Sequence, residues 1–372
     1  MTGLDFRLTP EQEDLRQRAA VVAAQGVIDY GLHTDSWING FSKEFSQTIA
    51  AEGWVGMTWP KSAGGFERPP IERVIMAEEM IGHGAPIAAS WFADRQFGPS
   101  LFTYGTPDQQ AEYLPGILSG EDTWCIGMSE PEAGSDHASL KTSAVRDGNE
   151  FVVNGQKIWT SGGALADYCY AICRTDASGR PHEGVSELII PMDLEGIEVR
   201  TIRDMVHNTH FCEIFFTDVR VPVENLVGVE GGAFKQTMVQ LEHERGGIDR
   251  LVSNKPLYEY AKSVADTSDP RIRQEIARLE TGYRLGRLMV YREVLKQAPK
   301  GFSAASKTYC NEHEQRVADF AARVLGAEAL LDTQWSRQLC YAPSYTIAGG
   351  TSNVMRNILG ERLLGLPRAP RA

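Results

Sequence analysis

Apolar and polar positions follow three regimes along the 372-residue chain. The first is helical. Thr9-Pro10-Glu11-Gln12 offers an N-cap hydroxyl, a first-turn proline and a glutamine that closes a capping box, and so predicts a helix start. Apolar residues recur at helical spacing around 45–52, 71–81 and 107–118. Between them, Trp54–Pro60 and Gly64-Gly65 read as loop. Near Gly120 the period changes. Phe151-Val152-Val153, Lys157-Ile158-Trp159, 187–190, 197–199 and 213–216 predict strands, the last ending at Pro222. Asn154-Gly155, set between two such runs, reads as a hairpin turn. The stretch 227–232 lacks the spacing of a dinucleotide fingerprint and reads as a turn before a helix. From Gly232 the helical period returns over roughly 233–265, 269–295, 305–331 and 352–364. Helices, strands, then helices give an α+β plan in three parts: 1–120, 121–230 and 231–372.

Composition adds limits. With 42% hydrophobic and 23% charged residues, the chain can bury a sizeable core. A net charge of -12 argues against a general nucleic-acid binder. No apolar run is long enough to predict a membrane span. Met1–Asp5 lacks the basic and apolar regions of a secretory signal, so a cytoplasmic location is expected. The cysteines, at 125, 169, 173, 212, 310 and 340, form no CxxC pair and are expected reduced and mostly buried. Cys169 and Cys173 read as core packing. His207, His210, Cys212 and Glu213 lie where loop passes into strand, which favours surface and pocket-wall roles; no metal is expected.

Three segments carry a family resemblance: Gly127-Met-Ser-Glu-Pro-Glu-Ala-Gly-Ser-Asp136, Asn154-Gly-Gln-Lys-Ile-Trp-Thr-Ser-Gly162 and Ile347-Ala-Gly-Gly-Thr-Ser-Asn-Val-Met-Arg356. In this order they resemble the signatures of the acyl-CoA dehydrogenase family, and the resemblance covers nearly the whole chain. It implies an N-terminal helical domain, a central β-barrel or sheet domain and a C-terminal four-helix bundle. FAD would lie between the domains, and electrons would leave through an electron-transfer flavoprotein. Small hydroxyls beside glycines, here Ser129, Ser135, Thr160 and Ser161, suit close approach to a cofactor. By resemblance, Met128 and Ser129 contact the flavin ring, Trp159 packs on it and Ser161 lies near its N5. Thr160 and Thr351 join the cofactor set, and Ser135 touches the CoA arm. Taken singly, a polar turn and a core tryptophan explain these residues as well; taken jointly, they do not.

Removing an α-proton requires a positioned base in a dry site. Many family members carry a glutamate just before the Gly-Thr of the third segment; here that position is Gly349. A minority carry it on an earlier helix, just before an arginine. Leu241-Glu-His-Glu-Arg245 is similar to that segment and puts Glu244 at the base position. Met238, Leu241, Ile248 and Leu251 would form one apolar stripe, with Glu244 inside it and Glu242 pointing away. Burial would raise the Glu244 pKa into a useful range. Glu242 is the alternative base, and Arg245 would anchor substrate or balance charge. A salt-bridged helix glutamate is the bland alternative for Glu244.

Homotetrameric members complete each FAD site with Arg-x-x-Phe-Gly and Gln-x-x-Gly-Gly-x-Gly segments from a neighbouring subunit. At the corresponding places this chain has Lys262-Ser-Val-Ala-Asp-Thr-Ser-Asp-Pro270 and Arg323-Val-Leu-Gly-Ala-Glu-Ala329. An arginine for the pyrophosphate and glycines for close approach are missing. This looks like the actinobacterial α2β2 members, several of which act on sterol side-chain thioesters; 85–95 and 207–211 are similar to that branch. The expectation is an FAD-dependent acyl-CoA dehydrogenase subunit with a related partner subunit. A non-catalytic partner subunit and an acyl-CoA oxidase or flavin monooxygenase are the other readings. The acyl group stays open.

Overall fold

The structure is a computed structural model that describes residues 7–237 and 247–367. They divide into two units. One holds 41–67 and 87–237; the other holds 7–40, 68–86 and 247–367.

The first unit is built on one sheet. Its strands are β1 (Trp124–Gly127), β2 (Ser143–Asp147), β3 (Glu150–Ser161), β4 (Tyr168–Arg174), β5 (Val185–Pro191), β6 (Ile197–Ile202), β7 (Phe211–Pro222) and β8 (Leu226–Val227). The order is β6-β7-β3-β2-β4-β5-β8, with β1 parallel to β4. Phe151 and Val153 of β3 share a core with Ile214, Phe216, Val219 and Val221 of β7, an alternation that follows the two-residue strand period. β4 and β5 are buried along most of their length, as strands covered on both faces are. Cys169 and Cys173 belong to this core. All six cysteines are free, and only Cys340 is exposed.

Asn154-Gly155 is not a hairpin turn. It lies within β3, where the pairing with β7 shifts register. A Cβ on Gly155 would fall 2.6 Å from Thr142 Cα, so the glycine admits a neighbouring backbone. The Asn154 amide instead braces Asp218 through Nδ2 to Oδ1 at 3.0 Å and Asp218 N to Oδ1 at 2.9 Å. The hairpin is earlier, at Gly148-Asn149 between the paired Asp147 and Glu150.

The loop around Trp54–Pro60 is buried because a π-helical turn, Ala93–Phe97, satisfies it. Asp94 accepts from Gly56 N at 2.6 Å, and its carbonyl accepts from Trp59 Nε1 at 2.9 Å. A Cβ on Gly98 would stand 2.0 Å from the Trp59 ring, so the residue following that turn must be glycine.

The second unit is helical. Thr9 caps the helix Pro10–Tyr30 in a capping box with Gln12, as expected, and this helix packs on Pro70–His83. Lys255–Val264, Pro270–Val294 and Ser303–Leu325 pack together. The helix expected over 233–265 is interrupted in its described part. Asp249–Val252 ends before Lys255, and Asn254 N donates to Glu314 Oε2 at 2.5 Å. A helix the periodicity did not indicate, Gln334–Tyr341, starts at the Thr333 cap. No helix among the described residues is long and apolar enough to cross a membrane.

This unit buries acidic groups. Asp35, fully buried with a left-handed φ of 57°, donates its N–H to Ser253 O at 3.2 Å. Burial raises its carboxyl from 3.8 to about 7, against the pull of Tyr341, Ser253 and Arg250. Burial also pushes Glu314 up. A carboxyl raised on folding favours the fold while protonated, and that contribution is lost as pH climbs from about 4 through about 7. The loss for Asp35 is of order 4 kcal/mol. Asp35→Asn should therefore raise the melting temperature more at pH 8 than at pH 5. Equal shifts at both pH values in thermal melts would refute this.

Candidate active site

β1 delivers the chain to Met128 and Ser129 beside the end of β3. Gly127 has no room for a side chain: a Cβ there would lie 2.9 Å from Cys169 Sγ and 3.3 Å from Lys157 Cγ. Ser129 O accepts from Ile158 N at 2.9 Å. The segment is then tied down by a buried ion pair. Lys157, fully buried on β3, reaches Glu130 Oε1 at 2.8 Å, Ile172 O at 2.6 Å and Met128 O at 3.5 Å. Glu130 also accepts from Lys141 N at 2.6 Å and Thr142 N at 2.9 Å. Burial pushes the Glu130 carboxyl up, but Lys157 and these donors outweigh it and hold the group below its ordinary value.

The first two signature segments thus meet through Lys157. Neither Lys157 nor Glu130 stood among the expected site residues. The available signal was a lysine inside a strand pattern, opposite a glutamate in the other segment.

Next to this lock, β3 makes a second irregularity between Lys157 and Thr160. Trp159 takes a φ of 60°, rare for a non-glycine residue and a mark of local strain. Its indole is 55% exposed, a large apolar face left open, with the edge of Phe211 against it at 5.7 Å. His210 packs on Phe211 at 3.9 Å; burial lowers its pKa to about 4, so the ring is neutral at pH 7.

Thr160 is buried, and its Oγ1 has no hydrogen-bond partner among the described residues. Ser129 and Ser161 are half-buried, and Ser135 is exposed on the turn that follows. Met128, Ser129, Trp159, Thr160 and Ser161 therefore lie in one region of the sheet unit. An open indole face beside small hydroxyls fits a flat, polar-edged ring system such as a flavin.

Thr351 belongs to the helical unit. It caps the helix Ser352–Ile358, with Val354 N donating to Oγ1 at 3.1 Å. It also lines a polar cavity of about 630 Å³ with Glu312, Arg316, Asn353 and Arg356. Gly349 and Gly350 precede it with φ of 63° and 93°, and the buried Lys307 donates to Gly350 O at 2.8 Å. Glu242, Glu244 and Arg245 lie outside the described residues, as do Met238 and Leu241 of the expected stripe; Ile248 and Leu251 are buried.

The acyl-CoA dehydrogenase N-terminal, middle and C-terminal domain families match residues 9–121, 125–219 and 234–364. The chain is 34% identical to acyl-CoA dehydrogenase IpdE1 of Mycobacterium tuberculosis over 342 residues, covering 88% of both chains. Among solved structures it resembles the Tcur3481-Tcur3483 steroid ACAD, with a TM-score of 0.88 and 31% identity over 98% of this chain and 100% of that one. The ChsE4-ChsE5 complex from Mycobacterium tuberculosis is similar at a TM-score of 0.86, 31% identity and coverage of 98% and 100%. These likenesses span all three parts of the sequence, and the chain belongs to the acyl-CoA dehydrogenase family of oxidoreductases.

Proposed function

We propose that the protein catalyses FAD-dependent α,β-dehydrogenation of an acyl-CoA thioester, as one subunit of a heteromeric complex with a related subunit. The observation that carries this reading is the joining of two signature segments by the Lys157–Glu130 pair, beside the exposed Trp159 face and the Ser129, Thr160 and Ser161 hydroxyls. Met128, Ser129, Ser135, Trp159, Thr160, Ser161 and Thr351 would hold the cofactor. Ser135, Glu242 and Arg245 would meet the thioester.

The Glu244 carboxylate would take the α-proton as general base. FAD held by the cofactor residues would supply the hydride acceptor, and loss of the α-proton to Glu244 together with the β-hydride would leave an α,β-double bond in the thioester. An electron-transfer flavoprotein is the proposed acceptor. Residues 1–120, 121–230 and 231–372 are the proposed domains, and a sterol side-chain thioester is the proposed substrate. Similarity to proteins described as a steroid ACAD and as a two-component complex supports the last point and the partner.

The test is purification alone and with a co-expressed related subunit. The chain alone should bind well under one FAD per protomer; the complex should hold FAD and reduce it with a sterol-derived thioester faster than with short or long straight-chain thioesters. Stoichiometric FAD on a lone homo-oligomer would refute the partner. A complex with no dehydrogenation of any thioester in the panel would favour a non-catalytic role, which the glycine at 349 also suits. Fast turnover with oxygen as sole acceptor would favour an oxidase.

A further inference from the structure

β5 contains a residue that its apolar surroundings do not explain. Val185-Ser-Glu-Leu-Ile-Ile190 is a buried run, and Glu187 is fully buried within it. Three side chains converge on this carboxylate. Tyr170 Oη donates to Oε2 at 2.8 Å and itself meets Ser100 Oγ at 2.7 Å. Gln236 Nε2 donates to Oε2 at 2.7 Å, and Thr237 Oγ1 donates to Oε1 at 2.9 Å. Burying a carboxylate is costly, and donors at this density are what make it tolerable.

Two of those donors come from one helical turn, residues 233–237. The same strand grips the approach to that turn. Gly231 N donates to Ser186 Oγ at 2.8 Å, Val185 bridges to Gly232, and Glu187 and Leu188 pair with Val227 and Leu226. Gly228 makes room for the clamp: a Cβ there would stand 2.2 Å from Gln236 Oε1. Four successive residues of β5, Val185 to Leu188, thus fix the chain from 226 to 237. In sequence, that chain runs on directly toward Glu242 and Glu244.

We propose that Glu187 is a positioning residue: through Gln236 and Thr237 it anchors the chain that leads into the segment bearing the catalytic base. This rests on the reading of Glu244 as that base. Glu187 touches neither substrate nor cofactor in this role. It sets where the following segment starts, and misplacing a reacting group by about 1 Å can cost on the order of a hundredfold in rate.

Glu187→Gln turns one acceptor into a donor facing donors and can fail to fold. Thr237→Val is the cleaner probe, since it keeps the shape and deletes one hydrogen bond. In the assembled complex, it should lower the rate of flavin reduction roughly tenfold with KM nearly unchanged. It should also speed amide hydrogen exchange across residues 233–237 while leaving the global melt within about 2 °C. Thr237→Ser keeps the hydroxyl and should restore both rate and protection. Unchanged rate and exchange in Thr237→Val would overturn the proposal, as would a lowered melt with the rate intact. Glu244→Gln run in parallel separates the two ideas: if it is fast, the base assignment fails; if it is slow while Thr237→Val behaves as wild type, only the clamp fails.

Discussion

Glu244→Gln should retain FAD yet be reduced by substrate at least 10²–10⁴-fold more slowly, the usual range for losing a general base. The amide matches the carboxylate in size and cannot accept the α-proton. The defect should appear in anaerobic rapid mixing as slow bleaching of the flavin, with the bound-flavin spectrum before mixing little changed. Near-normal bleaching would hand the role to another group, Glu242 first. The expectation draws on the third signature segment as well. By the resemblance, the alternative base position falls on Gly349, which can supply no proton acceptor.

Lys157→Met should damage the protein through its partner. Glu130 is 7% exposed, and without the ammonium its charge would be left with the neutral donors of Lys141 and Thr142. Breaking a buried pair from one side costs about 3–5 kcal/mol because a charge is left uncompensated. Loss of FAD should accompany the loss of stability, since Lys157 also holds Met128 O and lies next to the Ile158 bond to Ser129. Adding Glu130→Gln removes the stranded charge, so the double variant should melt higher than Lys157→Met alone. Urea titrations with flavin fluorescence as a second probe would read both effects. A single variant with wild-type stability and FAD content would show that the pair does not hold the segment.

Local chemistry made much of the fold legible. The Thr9 cap, the strand runs and the proline closing β7 are rules of neighbouring residues, and each held. Asn154-Gly155 misled because the same dipeptide serves a turn or a bulge, and Thr142 decides which. Periodicity likewise ran through 253–254, where a long-range bond from Asn254 to Glu314 ends one helix before the next begins. At the candidate site the chemistry-bearing segments were readable as motifs. The buried charges that brace them were not. Lys157, Glu130 and Glu187 acquire meaning only once strands distant in sequence lie side by side.

The left-handed turn at Gly349 also sets a cost on refitting that corner. With φ at 63°, any side chain introduced there carries backbone strain of roughly 1–2 kcal/mol. A carboxylate grafted at this position would start from a strained backbone, and relieving the strain would mean re-forming the loop around it.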